Sequence, residues 1–100
     1  VATVQLRRYR IADGQLDAFM SWFPRAVRTR EPYGFFVEFA YVDRVAGEFI
    51  WAVGHPGDSD AFDDAEARWR VDPERTTVFG EQPDCVLHHR IAKVEPVRPS

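Results

Sequence analysis

Residues 35–53 read FFVEFAYVDRVAGEFIWAV, and the fold turns on how this stretch pairs. It holds two runs rich in aromatic and β-branched residues, Phe35 to Val42 and Ala46 to Val53, which suit a pleated, half-buried surface. A turn at Asp43-Arg44 separates them, and strands joined so tightly pair as an antiparallel hairpin. Alternation along the first run puts Phe35, Val37, Phe39 and Tyr41 on one face, with Phe36, Glu38, Ala40 and Val42 on the other. Both sets are substantially apolar. A sheet containing this hairpin therefore has two faces that seek cover.

Working outward, TVQLRRYRI from Thr3 to Ile11 reads as a strand, ended by Asp13-Gly14, with Asp13 a candidate N-cap. From Gln15 the period changes. Leu16, Phe19, Met20, Phe23 and Val27 recur at three- and four-residue steps and form the apolar stripe of a helix. Pro24 interrupts it, lacking an N–H and clashing with the preceding turn, which predicts a kink or a stop near Phe23 and a restart. Pro32-Tyr33-Gly34 ends this helix.

Beyond the hairpin, His55-Pro56-Gly57-Asp58 breaks the chain, and Asp58, Ser59 or Asp60 caps a second helix striped by Phe62, Ala65 and Trp69. Acidic residues crowd its start and Arg68 and Arg70 its end, as the helix dipole favours. Asp72-Pro73 opens a short turn through Phe79, and a last strand runs from Cys85 to about Val94. The order is β-α-β-β-α-β, an α+β, ferredoxin-like arrangement spanning one domain, residues 1–100 with a core over about 3–95. Two helices cover one sheet face only. The remaining apolar face predicts a second subunit packed sheet to sheet, hence a homodimer.

Composition narrows the function classes. A content of 45% hydrophobic and 14% aromatic residues in a chain of 100 excludes disorder. The net charge is −3 and arginines are mixed with carboxylates, so no basic stripe for nucleic acid stands out. No run reaches membrane-spanning length, and the lone Cys85 makes no internal disulfide. These features predict a cytoplasmic protein that binds neither nucleic acid nor membrane.

Three pieces carry a resemblance: VQLRRYRIADGQLDAFMSWF, then YGFFVEFAYVDRVAGEFIWAVGH, then the second helix leading into WRVDPERTTVF. Together they resemble the NIPSNAP-like branch of the dimeric α/β-barrel superfamily. Leu6, Arg7 and Tyr9 stand where that family's opening "ELR.Y" strand has them, Phe49-Ile50-Trp51 matches its hairpin tryptophan region, and Asp72-Pro73 its Asp-Pro. The resemblance implies a dimer whose sheets close into a barrel. Superfamily relatives include cofactor-free monooxygenases, haem-degrading enzymes, muconolactone-type isomerases and stress-induced proteins. The family shares no catalytic signature, so the resemblance leaves enzymatic activity open.

The candidate site residues follow from the sheet order. With the first strand central, and taken as parallel to the third and antiparallel to the fourth, Tyr9, His55 and the His88-His89 pair share one neighbourhood. His88 and His89 point to opposite faces, and so do Arg7 and Arg8. His55 or His88, beside Tyr9 and an arginine such as Arg8, supplies a proton acceptor and an oxyanion partner. Phe36, Phe49 and Trp51 are candidate walls for a substrate ring, and Glu38 is a candidate carboxylate among apolar neighbours. A metal site needs three or four converging ligands, and the spacing supplies no such set, so no metal and no cofactor is expected. The expected function is a homodimeric module binding a small molecule. The alternative is a cofactor-free monooxygenase or isomerase acting on a small aromatic or enolisable compound.

Overall fold

The computed structural model of the chain describes residues 2–99. Strand β1 (Thr3–Ile11) leads into helix α1 (Leu16–Arg30) and a single 3-10 turn (Glu31–Tyr33). The hairpin β2 (Phe36–Asp43) and β3 (Glu48–His55) follows, then α2 (Ser59–Arg70), the short α3 (Pro73–Phe79) and β4 (Val86–Val94). The sheet order is β2-β3-β1-β4 with antiparallel pairing throughout. This is an α+β, ferredoxin-like topology with one extra helix before the last strand.

One expectation is corrected here. β1 and β3 run antiparallel, with Thr3 opposite His55 and Arg10 opposite Glu48. The reason is topological: α1 returns the chain so that β2 parallels β1, and β3, the hairpin partner of β2, is inserted between them. The end of β1 therefore lies beside the starts of β3 and β4. His55 sits at the far end of the sheet from Tyr9, His88 and His89.

Local chemistry explains most element boundaries. Asp58 caps α2 by accepting from the Ala61 N–H at 2.9 Å. Asp72 caps α3, accepting from the N–H groups of Glu74 and Arg75, with Pro73 preset for the first helical position. Helix α1 starts at Gln15 without a side-chain cap, so Asp13 does not serve there. It also runs through Pro24 without the expected stop. Proline removes one internal hydrogen bond, while Phe19, Trp22 and Ala26, buried on the same helix, hold both halves to the core.

A bulge alters β2. Val37 pairs with Val53 but Phe39 pairs with Ala52, so Glu38 is an extra, exposed residue. Beyond it the alternation reverses. Phe36, Phe39 and Tyr41 end up on one face and Val37, Ala40 and Val42 on the other, correcting the simple alternation read from sequence.

The three helices pack on the face formed by Gln5, Arg7, Tyr9 and Ile11 of β1 and Phe49, Trp51 and Val53 of β3. Phe19, Phe62, Ala65 and Trp69 fill the layer between. The opposite face carries Leu6, Ile50, Ala52, Phe36, Phe39 and Tyr41, with Tyr41 68% exposed. The Phe36 ring lies over Gly54, where an added Cβ would come within 2.5 Å of it. No described helix is long and apolar enough to cross a membrane.

Candidate functional site

Between the sheet and α1, α2 and α3 lies a cavity of about 350 Å³. Arg7 and Tyr9 of β1, Trp51 of β3 and Val86, His89 and Ile91 of β4 form its floor. Phe19, Trp22, Phe23, Ala26 and Arg30 of α1, Trp69 of α2 and Arg75 and Phe79 of α3 close it from above, with Gln82 at the rim. All of the chain's three tryptophans line it.

Two of those tryptophans build the frame. The Trp22 indole N–H donates to the Val78 carbonyl at 2.9 Å and ties α3 to α1. That of Trp69 donates to the Thr29 hydroxyl at 2.9 Å, and Thr29 in turn donates to the Ala26 carbonyl at 2.6 Å. Buried indoles normally find such partners. Trp51 is different: its Nε1 is buried and no acceptor reaches it among the described residues.

The arginines repeat the contrast. Arg30 is 4% exposed and sits 3.8 Å from the Trp69 ring centroid and 5.1 Å from that of Phe35. Its Nη1 is buried without an acceptor, and so is Nε of Arg75. Arg75 stacks 4.4 Å from Trp69 and 4.5 Å from Phe79. Arg7 is anchored within its own strand, its Nε donating to the Tyr9 hydroxyl and its Nη1 to the Gln5 side-chain oxygen, each at 2.6 Å. No Asp or Glu lines the cavity, and none of these three arginines forms an ion pair among the described residues. Surface Arg25, Arg44 and Arg70, by comparison, all do.

The electrostatics follow. Burial, then the nearby charge of Arg7, pushes the Arg30 guanidinium down to about 10, still charged at neutral pH. Burial likewise lowers Arg75. Glu66 draws on both from a distance, but it is ion-paired with Arg70 at 2.7 Å. The cavity of an acidic protein is thus a cationic, aromatic chamber.

Of the candidate residues read from sequence, Tyr9 and Trp51 line this chamber. His88 pairs with Arg10 and Arg8 with Arg90 and Ile50, all on the opposite face, so His89 and Arg7 enter the cavity in their place. His55 lies remote from it, its Nδ1 accepting from the Gly57 N–H at 3.0 Å and its Nε2 3.1 Å from the Tyr33 carbonyl. Phe49 is buried behind the wall against Phe23 and Phe19, while Phe36 and Glu38 are exposed outside it. Cys85 is buried, and burial raises its thiol pKa away from nucleophilic use. Among the described residues no group of three or more His, Cys, Asp or Glu could hold a metal.

Arg30, Arg75, Trp22, Trp69, Phe79 and Gln82 complete the chamber without having been singled out as site residues. Arg30 closes a helix, where an arginine ordinarily serves the dipole from the surface. The available signal was Trp69 with Arg75 six residues on, two stacking groups bridged by the Asp72 cap.

No protein-family model and no curated protein matches the chain. Solved structures do. A NIPSNAP domain protein from Burkholderia xenovorans superposes with a TM-score of 0.83 at 14% identity, covering 98% of this chain and 97% of its own. A NIPSNAP family protein of unknown function from Agrobacterium tumefaciens gives 0.85 at 15% identity, over 99% and 91%. A putative antibiotic biosynthesis monooxygenase from Bacteroides thetaiotaomicron gives 0.73 at 15% identity, over 98% and 91%. The chain shares the fold of these proteins.

Proposed function

We propose that this chain is a NIPSNAP-like, homodimeric module that binds a small aromatic or enolisable molecule in the chamber between the sheet and its helices. The observation that carries the reading is the chamber itself. Its volume of about 350 Å³ falls at the small end of ligand-holding cavities, and aromatic faces wall it on both sides. The likeness to NIPSNAP structures supports the family reading. The uncovered sheet face supports the dimer. Phe39, Tyr41 and Ile50 offer apolar area, and Arg8, Arg10, Arg90 and Glu48 beside them supply both charges, as a face meeting its own copy requires. Composition supports a cytoplasmic setting.

Saturation-transfer NMR with a panel of small planar aromatics tests the chamber. Binding is expected, and Ala26→Phe, which fills the space from α1, should abolish it. Undiminished binding in that variant would place the ligand elsewhere.

A second reading is catalytic: a cofactor-free monooxygenase or isomerase. It is supported by Tyr9, Arg7 and His89 lining one floor, with the Tyr9 hydroxyl held by the guanidinium. There His89 would take a proton from an enolisable substrate and the cationic side chains would hold the resulting oxyanion. Recovery of altered compound, lost in Tyr9→Phe or His89→Ala, would favour this reading. Recovery of unchanged ligand favours the module.

A further inference from the structure

The chamber contains more donors than its own walls can satisfy. Arg30 Nη1, Trp51 Nε1 and Arg75 Nε are buried N–H groups with no acceptor among the described residues, on three different elements that meet at one cavity. Fewer than one buried polar group in ten is normally left so, and each orphan carries a desolvation cost. Arg30, almost wholly buried and without ion pair or hydrogen bond among the described residues, is the sharpest case. Chance burial of one cation is relieved by a neighbouring carboxylate. Here the one carboxylate that acts on Arg30, Glu66, does so without an ion pair and is paired with Arg70 instead.

Satisfied neighbours show that the deficit is local. Trp22 and Trp69, lining the same cavity, have their indole N–H groups bonded to protein acceptors at 2.9 Å. Arg7 is bonded to Tyr9 and Gln5. The protein thus completes the frame of the chamber and leaves one set of donors open. An acceptor that satisfies these groups must be anionic, to offset the unpaired guanidinium charge, and its body must be flat and apolar, to lie among the aromatic walls.

We infer that the chamber is a receptor for a small aromatic carboxylate, whose carboxylate oxygens accept from Arg30 and Arg75 with the indole N–H of Trp51 as an additional donor. This rests on the small-molecule reading above and adds to it the charge of the ligand. Guanidinium forks match the two oxygens of a carboxylate, and the absence of acidic side chains from the lining excludes competition from within. A neutral amide of the same shape offers one acceptor oxygen in place of two, turns an NH2 donor toward the guanidinium and leaves its charge uncompensated, and is disfavoured for those reasons.

Calorimetric titration of the purified protein with phenylacetate and with its neutral isostere phenylacetamide tests the inference. Phenylacetate is expected to bind at least tenfold more tightly. That ratio should collapse toward one in Arg30→Met and fall severalfold in the partly exposed Arg75→Gln, both checked for native circular dichroism. Equal affinities in the natural protein would overturn the charge assignment while leaving the aromatic chamber standing. A preference retained in both variants would overturn the assignment to these arginines. Failure of both compounds to bind would overturn the chamber reading, and this inference with it.

Discussion

The two faces of this sheet are unfinished in opposite ways. The helix-side face is covered, yet it retains buried donors with no acceptor at Arg30, Trp51 and Arg75. The other face has its polar groups in solvent, yet leaves Phe36, Phe39 and Tyr41 exposed. A missing acceptor and a missing apolar cover call for different partners. The first is met by something small enough to enter a cavity, the second by a broad surface. Strand alternation produces the division: Arg7 and Tyr9 enter the chamber, while Leu6, Arg8 and Arg10 face away from it.

Substitutions on the two faces should therefore behave differently. The largest effect is expected for Phe62→Ala, since Phe62 is fully buried among Phe35 and the α2 core. A loss of about 3–5 kcal/mol in urea unfolding is expected, from lost transfer energy plus the cavity left behind. On the opposite face, the double change Phe39→Glu with Tyr41→Glu should leave the protomer folded and shift its mass in light scattering from dimer to monomer. A wild-type protein that is already monomeric at micromolar concentration would break the comparison on that side.

Arg30→Met should move stability upward. A depression to about 10 corresponds to a cost on the order of 3 kcal/mol for holding the charge unpaired in the core. Stacking on Trp69 returns part of it, roughly 1–2 kcal/mol. Thus Arg30→Met should stabilise the ligand-free protein by about 1–2 kcal/mol, read in urea, while forfeiting the preference for phenylacetate over its amide. The sign of the pH effect is fixed. Because the folded-state value is lowered, the unfolded chain binds more protons above about pH 10, and stability from this group rises with pH from there. Below about pH 10 the cost is fully present. The difference between natural protein and variant should narrow accordingly in alkaline denaturation curves. The smallest effect is expected for Arg8→Ala, on the exposed face, within about 0.5 kcal/mol.

Much of this was legible in the sequence. The tight hairpin, the two helix stripes, the Asp58 cap and the order of elements are local signals that packing reinforced. The local signals at Asp13 and Pro24, by contrast, were overridden by the burial of Phe19, Trp22 and Ala26. The bulge at Glu38 was not legible, because one unpaired residue in FFVEFAYV leaves no compositional mark yet reverses every side chain after it. The direction of β3 relative to β1 depended on which strand the hairpin inserted between, and with it fell the joint placement of His55 and Tyr9. His88 against His89 was undecidable without the register to β1, where His89 lies opposite Tyr9. The site was the less legible part. Tyr9 and Trp51 are strand residues with an evident alternation, whereas Arg30 sits at a helix end where a cation is ordinary.

The central claim is that the chamber's donors await an anion. The indole N–H signals of the chain's three tryptophans, observed by ¹⁵N–¹H NMR during titration with phenylacetate, test it most directly. Trp22 and Trp69 already donate to protein acceptors, so their signals should report bonded N–H groups throughout. The Trp51 signal, assigned through Trp51→Phe, should begin in the unbonded range and move downfield as the carboxylate arrives, while phenylacetamide at the same concentrations, binding more weakly, moves it far less. A Trp51 signal that does not move with phenylacetate, or that moves equally with the amide, would contradict the account.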